Sequence, residues 1–294
     1  KKTMTGKICG TGAYIPEKIL DNEALSKLVD TSDEWIRSRT GIRRRHIAGE
    51  KETVAFMAGE AAKAALQNAK LNGSAVELIL AATMSAEEAM PGVAARVQQT
   101  IGAKGAASFD INSACTGFLA ALNTAQTYIE AGIYKTVLVV GAEKLSSLVD
   151  WNDRNSCILF GDGAGAVVLQ RQPGLDYLPV AGADGGRGEV LSCQALYEDQ
   201  SFYKESGKSG FLHMDGQAVF KFAVRKVPEA ILEVLELNGL TIEDIDWFVV
   251  HQAKSPDHRV RRTASGCIFG TLSGQFTGIW KYLGCEHSDF CWMR

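Results

Sequence analysis

Cys115 and His251 are the residues best placed to do chemistry. Cys115 follows an apolar run (AASFDI) and a short turn, Asn112–Ala114, and opens a long apolar segment of helical period, CTGFLAALNTAQTYIEAG. A thiol at a helix N-terminus feels the partial positive charge of unpaired backbone N–H groups, which favours the thiolate and so a nucleophile. A buried cysteine behaving as a small hydrophobe fits the same position. His251 closes the run DWFVV. An imidazole there can donate a hydrogen bond to a developing oxyanion or pass a proton; a strand-end histidine bonded to a backbone carbonyl would read the same. Each lies beyond the carboxyl end of an apolar strand, where α/β sheets bind their ligands, so both could face one cleft.

Two more segments invite a functional reading. Gly161–Ala166 (GDGAGA) has the glycines of a phosphate-cradling loop, but neither the GK[ST] ending nor the G-x-G-x-x-G spacing. Close packing of small residues is the expected cause. Arg37, Arg39, Arg43, Arg44 and Arg45 crowd beside Trp35. Such a cluster suits a phosphorylated ligand or an acidic partner, and equally a solvated charged face.

The elements that would carry these residues alternate. Lys7–Tyr14, Glu77–Thr83, Ala106–Asn112, Thr136–Gly141 and Gly163–Arg171 read as strands; Thr53–Ala69, Val93–Ile101 and Cys115–Gly132 read as helices. Alternation of this kind predicts crossover connections and a mostly parallel sheet. The pattern then restarts, with Tyr177–Ala183 and Asp246–Val250 as strands around a long helix, Gln217–Asn238. The expected organisation is a first half, residues 1–171, carrying the cysteine, and a second, 172–294, carrying the histidine. The second half is expected to be incomplete: fewer than half as many residues follow His251 as separate Thr83 from Arg171.

Composition removes several classes. The 294 residues are 46% hydrophobic and 22% charged, and the mean hydropathy is −0.03, so disordered and collagen-like chains are excluded. No run of apolar residues is long enough to span a bilayer, and Lys1–Gly6 is not followed by a secretory h-region. The first residue, Lys1, is not Met, so a few leading residues are expected to precede it. A net charge of −3 gives no basic excess for nucleic acid. The seven cysteines contain no close C-x-x-C pair, which argues against structural zinc and for reduced thiols in the cytoplasm.

Five segments in this order resemble β-ketoacyl-acyl-carrier-protein synthase III, a thiolase-fold condensing enzyme: Val29–Ala48 (VDTSDEWIRSRTGIRRRHIA), Asp110–Leu122 (DINSACTGFLAAL), Arg154–Leu169 (RNSCILFGDGAGAVVL), Met214–Val224 (MDGQAVFKFAV) and Asp246–Ala253 (DWFVVHQA). The resemblance implies an α/β thiolase-like fold of two duplicated halves in αβαβα layers. It implies that Cys115 takes an acyl group from acyl-CoA as a thioester. It makes His251 part of the pair that stabilises the enolate formed when malonyl-acyl-carrier protein loses carbon dioxide. Trp35, Arg39 and Arg154 would hold the adenine of CoA; Thr31, Gly216 and Phe220 would line the pantetheine channel, with Phe160 and Ala253 also on the substrate side. Met90, where the family often has Phe, would close the acyl pocket of the partner subunit, which implies a homodimer; its flexible side chain could admit primers longer than acetyl. Acyl-CoA and acyl-carrier protein are the implied partners, with no cofactor, metal, nucleic acid or membrane. Chalcone-synthase-like polyketide synthases and hydroxymethylglutaryl-CoA synthases are related alternatives. From other classes come a non-catalytic remnant that binds CoA or a carrier protein, and a Cys/His hydrolase.

The resemblance stops near residue 254. The family's catalytic Asn has no counterpart, since no Asn occurs beyond Asn238, and the Gly-rich segment that completes the oxyanion hole is missing. Residues 254–294 are rich in Cys, Trp and His and show neither helical nor strand period. A reading-frame shift near codon 254 is the expected cause, with condensation impaired and self-acylation at Cys115 retained if the tail is real.

Overall fold

The computed structural model describes residues 3–194, 210–245, 248–249 and 251. In chain order it contains β1 (Met4–Tyr14), β2 (Ile19–Asp21), α1 (Asn22–Ser26), α2 (Asp33–Thr40), β3 (Arg44–His46), α3 (Val54–Ala69), β4 (Leu78–Ala82), α4 (Val93–Ile101), β5 (Ala107–Ile111), α5 (Gly117–Glu130), β6 (Thr136–Lys144), β7 (Asp162–Pro173), β8 (Leu191–Ser192), β9 (His213–Met214) and α6 (Gly216–Leu237). Five strands form one sheet in the order β1-β7-β6-β4-β5.

The sheet is mixed. β4 runs parallel to β5 and β6, whereas β7 is antiparallel to both β6 and β1. The expected mostly parallel sheet is therefore corrected. The reason is local: β6 and β7 are joined without a crossover helix, and an apolar run buried on both faces reads alike in either direction.

Side-chain alternation divides the sheet's two faces. Leu78, Leu80, Val137, Val139, Val167 and Leu169 point to the layer holding α5, with Ala121, Ala125 and Ile129. Ile79, Ala81, Leu138, Val140 and Val168 point the other way, onto α3 and α4. The Ala-rich α3 lies close enough to β1 that a Cβ on Gly12 would fall on the backbone of Ala61 and Ala65. Only glycine leaves room there. A third cluster, Leu25, Ile36, Leu145, Val149, Cys157, Ile158, Phe160 and Leu212, supports α2.

The expected strand at Tyr177–Ala183 does not form. Its backbone is bonded to side chains instead: Tyr177 N–H donates to Glu130 (3.2 Å), and the Leu178 carbonyl accepts from Asn238 Nδ2 (2.9 Å). Of the expected strand 246–250, only Phe248 and Val249 are described, and neither is in a ladder. The tail 254–294 lies outside the described residues. No helix among the described residues is long and apolar enough to cross a membrane.

Candidate active site

Cys115 sits in a 3₁₀ turn, Ala114–Thr116, between β5 and α5. The helix proper begins two residues later than the sequence pattern suggests. Ala114 has a φ of 42°, a left-handed conformation that costs a non-glycine residue energy and that a surrounding structure must impose. Here the imposing bonds are local. Thr116 N–H and Oγ1 both donate to the Ser113 carbonyl (3.0 and 2.9 Å), and Asn112 Oδ1 accepts from Ala114 N–H (3.4 Å). On the inner side Gly117 lies against Ala82 of β4, where an added Cβ would come within 3.2 Å of the Ala82 Cβ. The turn thus lifts Cys115 out of the sheet's carboxyl edge into an exposed position ahead of a 14-residue helix. That exposure removes the reading of Cys115 as a small buried hydrophobe. Cys157, buried in the cluster under α2, is the contrasting case: burial pushes its thiol up to about 11.

The second expected group converges as well. Ser32 caps α2 by accepting from Trp35 N–H (3.1 Å), and Arg39 follows Trp35 by one helical turn. Its guanidinium lies 4.4 Å from the Trp35 ring centroid, and that of Arg154 lies 5.0 Å away. Arg154 is anchored by the Asp30 carbonyl (3.2 Å) and carboxylate (3.7 Å). A planar aromatic flanked by two planar cations, all reachable from solvent, suits stacking on a nucleotide base and charge pairing with its phosphates. Beside it the Thr31 hydroxyl is buried with no hydrogen-bond partner, one of two such side-chain atoms among the described residues. An orphaned hydroxyl next to an open aromatic face suits a ligand amide or carbonyl.

The arginine cluster divides. Arg45 is fully buried, with Nε (2.8 Å) and Nη2 (2.5 Å) on the Ile158 carbonyl and Nη1 on Asn22 Oδ1 (2.7 Å). Burial pulls its pKa down to about 10. Asn22 in turn donates through Nδ2 to Asp33 (2.8 Å) and to the Ile42 carbonyl (2.8 Å). The Asn22 amide, with Arg37 beside it, holds the Asp33 carboxyl below the usual carboxylate range. Arg45 therefore belongs to the support of α2, not to a solvated face. Asn22 went unnoticed as its partner, and Asp33 as the partner of Asn22, because nothing in their local sequence marks them; the Arg45 bonds to Ile158 exist only after β3 meets the 156–160 segment.

The remaining expected residues are distributed as follows. Phe160 is buried in the cluster beneath α2, so it backs the Trp35 face. Gly216 opens α6 behind the Asp215 cap, whose carboxylate accepts from Gln217 and Ala218 N–H (both 3.0 Å), and Phe220 is exposed one turn on. Met90 is 86% exposed, at the tip of the irregular segment 83–92. His251 is exposed; Ala253 lies outside the described residues. Gly161–Ala166 serves packing: Ala164 and Ala166 are buried in β7, and the buried Asp162 carboxylate is filled by Ala48 N–H (2.7 Å), Ser146 N–H (2.9 Å) and Ser146 Oγ (2.6 Å). Among the described residues no three His, Cys, Asp or Glu side chains are grouped to hold a metal.

One half-buried acid was missed. Glu143, at the carboxyl end of β6, accepts from Met84 N–H (3.0 Å), Thr83 Oγ1 (3.5 Å) and Ser85 Oγ. Burial pushes its carboxyl up to about 7. Its only sequence signal is a lone acid ending an apolar strand.

Comparison with known proteins gives one answer. Residues 109–185, which include the Cys115 turn, match the family model for 3-oxoacyl-[acyl-carrier-protein (ACP)] synthase III. The β-ketoacyl-[acyl-carrier-protein] synthase III 1 of Bacillus anthracis is 48% identical over 252 residues, covering 85% of this chain and 76% of that one. The Clostridium acetobutylicum synthase III is 47% identical over 249 residues, covering 84% and 76%. Among solved structures, the Aquifex aeolicus 3-oxoacyl-[acyl-carrier-protein] synthase III superposes with a TM-score of 0.78 at 45% identity, covering 85% of this chain and 77% of that one. The priming β-ketosynthase of the R1128 polyketide pathway also reaches 0.78, at 36% identity, covering 85% and 75%.

Proposed function

The chain belongs to the 3-oxoacyl-[acyl-carrier-protein] synthase III family and has its thiolase-like α/β fold, and from that premise we propose that it primes fatty-acid synthesis by acyl transfer and decarboxylative condensation. The observation that carries this reading is the exposed Cys115 on its strained turn at the head of α5.

Cys115 attacks the thioester carbonyl of an acyl-CoA. The C–S bond to CoA breaks, CoA leaves as the thiolate and takes up a proton, and the acyl group stays on Cys115 as a new thioester. The N-terminal N–H groups of α5 favour the attacking thiolate, and the Cys115 N–H is one donor to the tetrahedral oxyanion. Malonyl-acyl-carrier protein then loses carbon dioxide. The electron pair left on its α-carbon is held as an enolate, with His251 donating to the developing oxygen. The carbanion attacks the Cys115 thioester and expels the thiolate, giving the β-ketoacyl product. No step changes an oxidation state through a cofactor, so acyl-CoA and the acylated carrier protein are the only partners the reaction needs.

In this reading Trp35, Arg39 and Arg154 hold the nucleotide end of CoA with Phe160 backing the Trp35 face, Thr31, Gly216 and Phe220 line the approach to Cys115, and Ala253 is assigned to the substrate side. Met90 reaches the acyl pocket of a second copy of the chain. The position of β5 at the sheet edge, with Phe109 40% exposed, supports pairing of two copies there. We assign residues 172–294, atypical from residue 254, to an incomplete second thiolase-like half, and the reaction to the cytoplasm.

Intact-protein mass after incubation with acetyl-CoA tests the central claim. One acetyl group is expected on the wild type and none on Cys115→Ser, which should still bind CoA. Acetylation of the serine variant would overturn the assignment of Cys115.

A further inference from the structure

The mechanism leaves Glu143 unused, yet three donors converge on it from one direction. Thr83, Met84 and Ser85 are the first three residues after β4, and all three bond to its carboxylate. The Ser85 hydroxyl also accepts from Lys144 N–H (2.8 Å), so its single proton is committed to Glu143. Register places this cluster at the same edge of the sheet as the nucleophile: Ala82 of β4 pairs with Ile111 on one side and Gly141 on the other, so Glu143 sits two residues beyond that row and Cys115 four. Thr83 N–H donates to the Ile111 carbonyl (3.2 Å), joining the clamp to the strand that leads into the Cys115 turn.

The same segment continues to Met90. Its later anchors are Glu87 on Val54 N–H (2.9 Å) and Asp110 on Val93 and Ala94 N–H (both 2.7 Å). The bonds to Glu143 fix the start of segment 83–92, and those that Asp110 accepts from Val93 and Ala94 N–H fix its exit into α4. We propose that Glu143 is a positioning residue for primer selection: by clamping Thr83–Ser85 to the sheet's carboxyl edge it sets the path of segment 83–92 and hence where Met90 closes the acyl pocket. This rests on the proposed role of Met90 in that pocket.

A half-buried carboxylate met only by neutral donors is costly, and Gln would accept from the Met84 N–H without the charge. The other ionisable groups on the surrounding elements are engaged elsewhere. Lys144 Nζ donates to the Gly49 carbonyl (2.9 Å), Asp162 of β7 is filled by Ala48 and Ser146, Glu52 binds Tyr14 Oη (2.5 Å) and Gly49 N–H (2.6 Å), and Glu87 holds Val54. With its carboxyl poised at about 7, the clamp accepts three hydrogen bonds above neutrality and fewer once protonated.

The test compares kcat/KM for acetyl-CoA and for isobutyryl- and octanoyl-CoA in wild type, Glu143→Gln and Ser85→Ala, between pH 6 and 8. Ser85→Ala cuts the same clamp from the other side and covers the case in which Glu143→Gln does not fold. Loosening one hydrogen bond of the clamp is expected to shift the long-to-acetyl ratio about fivefold in both variants, mainly through KM. In the wild type the ratio should rise as pH falls through 7, and in Glu143→Gln it should not depend on pH. A ratio unchanged within about twofold in both variants, with acetyl still turned over, overturns the inference alone. A wild type that takes no acyl group on Cys115 from any of the three substrates overturns the proposed function and this inference with it.

Discussion

Asn22→Leu is the perturbation that probes the support of the CoA-binding helix most directly. Asn22 is 1% exposed and joins three groups: it accepts from Arg45 Nη1 and donates to Asp33 and to the Ile42 carbonyl. Leucine of similar size leaves one donor of a buried guanidinium unpaired, at about 1.5–3 kcal/mol, and strands the Ile42 carbonyl at about 1–3 kcal/mol. The sum is about 4 kcal/mol. Arg45→Met strands the Ile158 carbonyl and Asn22 Oδ1, a loss of about 4 kcal/mol by the same values. It also releases the burial penalty. The fall of the Arg45 pKa to about 10, at about 1.36 kcal/mol per unit, is roughly 3 kcal/mol, so the net change is about 1 kcal/mol. In the double variant the unpaired guanidinium donor of the first and the stranded amide oxygen of the second both vanish. The two losses should therefore fall short of adding by about 4 kcal/mol. Urea unfolding of the four proteins measures this coupling. Additivity within about 0.5 kcal/mol would show that Arg45 and Asn22 do not share a buried bond, and would refute the account of α2.

Three further outcomes follow from the same structure. Gly12→Ala places a Cβ on the backbone of α3 and should destabilise by more than about 4 kcal/mol, read as loss of soluble protein or a collapse of the thermal midpoint. Arg39→Ala should weaken CoA binding about tenfold by calorimetry, more so at low salt, with the thermal midpoint unchanged because Arg39 is exposed. Glu143 has a folded-state pKa raised from 4.5 to about 7, so its stabilising protonation is complete below pH 4.5 and is lost as pH rises through 7. By linkage this loss is roughly 3 kcal/mol, and Glu143→Gln should flatten the stability profile between pH 4.5 and 7.5; an unchanged slope would contradict the burial of the acid.

The strands and helices of the first half were legible because each is a long buried run or a strongly periodic one, and burial on two faces leaves a continuous apolar signature at β4, β6 and β7. Strand direction was not legible, since VLVV and AVVL carry no information about which way the chain runs. Cys115 was found from the strand-turn-helix pattern, although the positive φ at Ala114 that exposes it has no mark in the sequence. Arg45 was misplaced because five arginines in nine positions read as one charged surface. Its acceptor, the Ile158 carbonyl, is 113 residues away. Tyr177–Ala183 has strand composition but no ladder to join, and composition cannot report a missing partner. Glu143 shows the same limit, since its significance lies in three donors from the segment that follows a different strand.

The register of β1 bears on the order in which this protein can be made. Met4 pairs with Pro173 and Tyr14 with Ala164, so a strand synthesised before the rest of the sheet is held by the sheet's last strand in chain order. At synthesis rates of about 5–20 residues per second, β1 waits roughly 10–30 s for its partner. During that time β4, β5 and β6 can assemble with α3, α4 and α5, while an 11-residue strand with free hydrogen-bonding groups stays open. The glycines that let α3 press onto β1 also keep that waiting strand poor in bulky side chains. The residues that permit the close packing of α3 on β1 are thus the ones that leave that strand least adhesive before the fold exists.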